Sequence, residues 1–159
     1  MPSFPETLAL IPALYLLVVA WPLTAIDLRE HRLPNRLVLP VFPIALVSQL
    51  CATMISGDWA RQLFAILIAV IVMAIGIAAN YFDVLGMGDV KLASAICLIV
   101  AYFNLYLPVM ALGTAFVLAF AVVLVLLFRG KAKLGSSIPL GPYLLLSFVC
   151  SLGFDVFMN

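Results

Sequence analysis

The stretch QLFAILIAVIVMAIGIAANYF, Gln62–Phe82, runs for 21 residues without a charge, and DVLGMGDVKL, Asp83–Leu92, follows it directly. A helix rises about 1.5 Å per residue, so about 20 apolar residues cross the hydrocarbon core of a bilayer. Gln62–Phe82 has that length. It does not alternate apolar and polar residues as a membrane β-strand would. A backbone exposed to lipid must satisfy its own hydrogen bonds, and a helix does so within one segment. The stretch therefore predicts a membrane-spanning helix ending in a short, charged, glycine-containing connection.

The same pattern recurs along the chain. Apolar segments fall at 8–26, 37–55, 62–82, 91–107, 109–128 and 139–157, the fourth being shortest, with Asn104 before a break at Pro108. The whole is 67% hydrophobic and 9% charged, with a mean hydropathy of +1.29. These values predict an all-α, polytopic membrane protein of about six transmembrane helices, one membrane-embedded domain over residues 1–159. The opening MPSFPETLAL has no positive region before its apolar run, so it reads as a first span rather than a cleaved signal. A net charge of +1 and the lack of a basic run give no sign of nucleic-acid binding. Pro12, Pro22, Pro40 and Pro43 fall near helix ends or as kinks in the first two spans. Ala111, Ala115 and Ala119 form a small-residue stripe suited to close helix packing. Cys51, Cys97 and Cys150 are single, with no CxxC, and read as small buried hydrophobes rather than metal or redox ligands.

Charge placement predicts the sides. Arg29, Arg32 and Arg36 lie in the first connection, Lys91 in the third, and Arg129, Lys131 and Lys133 in the fifth. With six spans these connections share one side, and only Arg61 of the eight basic residues falls on the other. Basic residues in short loops mark the cytoplasmic side, so both termini are expected outside, with Glu6, Asp58 and Asp155 near that outer face. The three loop arginines could organise acidic positions of a substrate, but topology alone accounts for them and for RGKAK, and His31 reads as an exposed loop histidine.

This arrangement makes two carboxylates eligible to meet. Asp27 ends the first span and Asp89 begins the fourth, with two crossings between them. Taken singly, Asp27 can be a loop charge and Asp89 a helix N-cap. Brought together, two carboxylates tend to share one proton, which places a base beside an acid. The ionised partner takes a proton from water while the protonated one hydrogen-bonds the carbonyl under attack. Gly86 and Gly88 lack a Cβ, so the backbone beside Asp89 can turn tightly or approach a substrate closely. The bare alternative is an ordinary tight loop. Lys91 either snorkels to headgroups or holds a nearby carboxylate ionised. Asp83 pairs with Lys91 or an arginine, or is simply solvated.

The motifs resemble a known family. Gly86-Met87-Gly88-Asp89 is a GxGD motif followed by Val90-Lys91-Leu92; Asp27 stands in DLREHRLPNRL with Pro34-Asn35 seven and eight positions on; and IPLGPYLL resembles the Pro-x-Gly-Pro start of a final helix. In these features, in their order and in span count the chain is similar to the type IV prepilin peptidases, membrane aspartic proteases, and in size to their small Flp/Tad-type pilus-assembly branch. The resemblance implies Asp27 and Asp89 as the catalytic pair, with Gly86, Gly88 and Lys91 in the active-site loop. It implies removal of a short basic leader from a prepilin at the cytoplasmic face of a prokaryotic inner membrane, with no metal or other cofactor. The partners implied are a membrane-anchored prepilin, the bilayer and pilus or secretion assembly machinery. The chain lacks the cysteine-rich soluble domain of larger relatives, so N-methyltransferase activity is not expected. The competing readings are a small proton- or cation-coupled transporter component using the same two aspartates, and an inert assembly scaffold.

Overall fold

A computed structural model of the protein describes residues 4–30, 32–129 and 139–158, the last four of these as backbone only. His31, Lys131, Lys133 and the side chain of Asp155 lie outside the described residues. Every regular element among those described is helical: α1 Phe4–Ala9, α2 Ile11–Glu30, α3 Asn35–Val38, α4 Val41–Ser56, α5 Trp59–Tyr81, α6 Met87–Phe103, α7 Leu107–Phe128 and α8 Gly141–Met158. Each of the six apolar segments falls mainly on helix. Four stretches are long and apolar enough to cross a membrane: Phe4–Glu30, Asn35–Ser56, Trp59–Tyr81 and Leu107–Phe128. Gly141–Phe154 is a shorter apolar helix, and α6, at 17 residues, rises about 26 Å.

Local chemistry sets the boundaries. Gly57 closes α4 in the left-handed region (φ 77), a conformation in which a Cβ is costly. Asp58 then caps α5, its Oδ1 accepting from the Arg61 amide at 3.3 Å while Oδ2 pairs with Arg61 Nε at 2.8 Å. The break between the fourth and fifth apolar segments differs from the expected one. It falls at Asn104, the residue that ends α6, and Pro108 lies in the first turn of α7. A proline costs nothing there, because the first amides of a helix have no partner within it.

Sorting of side chains fits a bundle in lipid. Large apolar residues face outward, among them Val18, Trp21 and Phe128. The interior is rich in alanine, including the Ala111, Ala115 and Ala119 stripe on α7, all buried as expected. Cys97 is buried, but Cys51 and Cys150 are exposed. They sit on outward faces of α4 and α8, so the expectation of three buried thiols holds for one.

Small residues bring α6 close to its neighbours. A Cβ on Gly76 of α5 would overlap the Val90 methyls of α6. Gly76→Ala is therefore expected to cost about 1–3 kcal/mol and to lower the thermal unfolding midpoint in detergent, with Val90→Ala in the same chain restoring part of the loss.

Several uncharged polar side chains inside the bundle tie α6 in place. Gln49 Nε2 donates to the Leu98 carbonyl at 3.0 Å, Thr53 Oγ1 and the Tyr102 hydroxyl lie 3.1 Å apart, and Ser94 Oγ donates to the Ala69 carbonyl at 2.7 Å. Gln49/Thr53 and Leu98/Tyr102 are each one turn apart, so the two bonds fix the register of α4 against α6. The element that carries Asp89 is thus held from both α4 and α5.

Candidate active site

Three separate parts of the chain converge at one end of the bundle. Asp27, in the last turn of α2, is 3% exposed. Its Oδ2 accepts a hydrogen bond from the Gly141 amide, at the start of α8, at 3.0 Å. The first amides of a helix lack intrahelical partners and sit at the positive end of its dipole, so a carboxylate suits that position. A Cβ on Gly141 would stand 2.6 Å from Asp27 Oδ2. Only glycine lets the amide come this close.

Asp89 arrives from the other side. It is the third residue of α6, behind the N-cap residue Gly86. It is not the cap itself, which removes the plain reading of this residue as a helix-capping aspartate. Asp89 is half-buried, and its Oδ1 is buried with no hydrogen-bond partner. Asp27 lies near enough for its charge to act on Asp89. Leu33, between α2 and α3, completes the convergence. Its Cβ lies 2.9 Å from where a Gly88 Cβ would stand, and its Cδ2 lies 3.2 Å from the corresponding point at Gly141.

The glycines act through space rather than through unusual torsions. Gly86 has φ −68 and ψ 140, values open to any residue; a Cβ there would come 3.0 Å from Asp89 Oδ2. A Cβ on Gly88 would also press on the Leu33 backbone nitrogen at 3.2 Å. The turn itself is made at Asp83, which has φ 57. Aspartate tolerates that region better than most side chains. The Asp83 amide donates to the Asn80 carbonyl at 2.9 Å, the Val84 amide to Ala79 at 3.0 Å, and Asn80 Nδ2 to Leu85 at 2.7 Å. Asp83 is exposed and forms no ion pair among the described residues.

Lys91 bonds to a side chain of the first connection. Its Nζ donates to Asn35 Oδ1 at 2.9 Å, joining GxGDxK to the Pro34-Asn35 pair. Removing either partner, as Lys91→Met or Asn35→Ala, is expected to weaken the protein by about 1 kcal/mol, with the double variant little worse than either single. A double-mutant cycle of unfolding midpoints checks this. Of the loop arginines, Arg32 pairs with Glu30 at 2.7 Å, and Arg29 and Arg36 are exposed.

Gly141 and Leu33 were not singled out by sequence reasoning. IPLGPYLL signalled a glycine before the last helix, but nothing in it points to a carboxylate 114 positions away. Among the described residues no group of three or more His, Cys, Asp or Glu side chains is placed to hold a metal ion.

A helical bundle with an apolar surface and four helices long enough to cross a bilayer defines a membrane protein. The chain belongs to the type IV leader peptidase family, whose sequence model matches residues 14–129. This is a family of membrane peptidases. No curated protein and no solved structure matches the chain. The matched stretch holds Asp27, Leu33 and Asp89, while Gly141 lies beyond it.

Proposed function

We propose that the protein is an aspartic endopeptidase that removes the short basic leader of a type IV, Flp-like prepilin at the cytoplasmic face of the inner membrane. Asp27 and Asp89 activate the attacking water. The observation that carries this reading is the convergence of Asp27, held by the Gly141 amide, with the GxGD start of α6 across Leu33.

One carboxylate of the pair, ionised, takes a proton from water as the water oxygen attacks the scissile carbonyl. Its protonated partner donates a hydrogen bond to that carbonyl oxygen. Collapse of the tetrahedral intermediate returns a proton to the leaving amine, and the two groups titrate as one unit. Gly86 and Gly88 keep the backbone close to Asp89, and Lys91 with Asn35 holds the first connection against α6. The arginines of that connection stay on the basic side of the membrane.

The test uses purified protein in detergent micelles with a tagged prepilin that has glycine before its apolar helix. Leader removal, seen as a gel shift and confirmed by product mass, is expected without any membrane potential. A transporter component gives no cleavage and shows activity only in sealed vesicles under a proton or cation gradient.

A further inference from the structure

Asp27 is covered in this structure, at 3% exposed, and Asp89 is half-buried with its Oδ1 enclosed. A substrate cannot reach Asp27 until something moves. The helices around the two carboxylates are packed, whereas residues 32–34 form a short non-helical strap. Leu33 projects from this strap and is itself only 8% exposed. Its stem lies on bare Gly88, next to Asp89. Its Cδ2 tip lies against bare Gly141, on which the Asp27 carboxylate also rests. A leucine side chain thus fills a slot floored by two glycines, one beside each carboxylate. Lys91, through Asn35, ties down the strap's far end.

We propose that Leu33 is an internal plug: in the resting protein its side chain holds the slot beside Asp27 that an apolar side chain of the extended substrate takes when it binds. The substrate part rests on the peptidase reading above. The slot fits this occupant because its walls are glycine backbone and its filler is already an aliphatic group of leucine size. A substrate side chain of similar size recovers the contacts that Leu33 gives up. An acidic one would be buried beside carboxylates with no cation to pair it. The strap must open for binding, so apparent affinity falls by the fraction of molecules that are closed.

The experiment reads the accessibility of Asp27 without reference to cleavage. Full-length protein in detergent is treated with a water-soluble carbodiimide and glycine ethyl ester, and modification is measured by peptide mass spectrometry. Exposed Asp83 is the reference carboxylate, and a thiol reagent on buried Cys97 reports whether the bundle stays folded. In the wild type Asp27 is expected to react far more slowly than Asp83. Leu33→Ala is expected to speed Asp27 modification by at least about tenfold through easier local opening, with Cys97 still protected. Leu33→Met, which keeps the volume, stays close to wild type. If Leu33→Ala exposes Cys97, Leu33→Val replaces it, with a smaller rise expected and Cys97 protected. Asp27 reacting as fast as Asp83 in the wild type, or an unchanged rate in the folded Leu33 variant, overturns the plug. A KM for prepilin that falls in the folded variant supports the substrate half, and an unchanged KM with faster labelling removes it. Absence of cleavage in every protein, with labelling as expected, overturns the substrate half through the peptidase reading and leaves the plug standing.

Discussion

Asp27→Asn and Asp89→Asn are each expected to reduce leader removal by about 10³-fold or more, and the double variant to be no worse than either single. Asparagine has nearly the size of aspartate, and at residue 27 its side-chain oxygen can still accept from the Gly141 amide. What it loses is the ability to take up or give back a proton. Without that exchange at one site, the other carboxylate has no partner for the acid–base cycle, so the two losses do not add. Initial rates with purified proteins, matched by yield and unfolding midpoint, measure both the size and the non-additivity. Additive losses would mean that the two aspartates act independently.

The second large effect is expected at Gly141. In Gly141→Ala the new Cβ, 2.6 Å from Asp27 Oδ2 and 3.2 Å from its Cγ, pushes the carboxylate off the amide at the start of α8. Alanine is at ease in the first turn of a helix, so α8 itself is not expected to suffer. A shift of about 1 Å in a catalytic group can cost about 10²-fold, and that is the loss expected in kcat for prepilin. The bundle should remain folded, with Cys97 protected from thiol reagents. Unchanged kcat in the folded variant would mean that the position of Asp27 on α8 has no part in turnover. Because Gly141 lies beyond the matched stretch, the result also shows whether α8 belongs to the site.

Much of this was legible before any coordinates. The helical, membrane-embedded class follows from charge-free runs of about 20 residues, and counting crossings makes Asp27 and Asp89 eligible to meet. What could not be read were contacts without a local signature. Pro108 looks like a terminator in sequence, yet one residue into a helix it is harmless. Gly86 and Gly88 look like turn residues, yet the left-handed torsion belongs to Asp83 and the glycines make room for Asp89 and Leu33. Leu33 is one leucine among many until Gly88 and Gly141 are seen beside it. Gln49 and Thr53 did carry a signal that went unused. Two polar residues one turn apart in an apolar helix imply a polar face, and the matching face is at Leu98 and Tyr102.

The dependence of kcat/KM on pH, measured for the wild type in detergent with a fixed prepilin, tests the central claim most directly. At low pH both carboxyls hold protons and no base remains; at high pH both are ionised and no acid remains. The account predicts a bell with two limbs. A flat profile, or one with a single limb, would contradict a pair of aspartates working as acid and base.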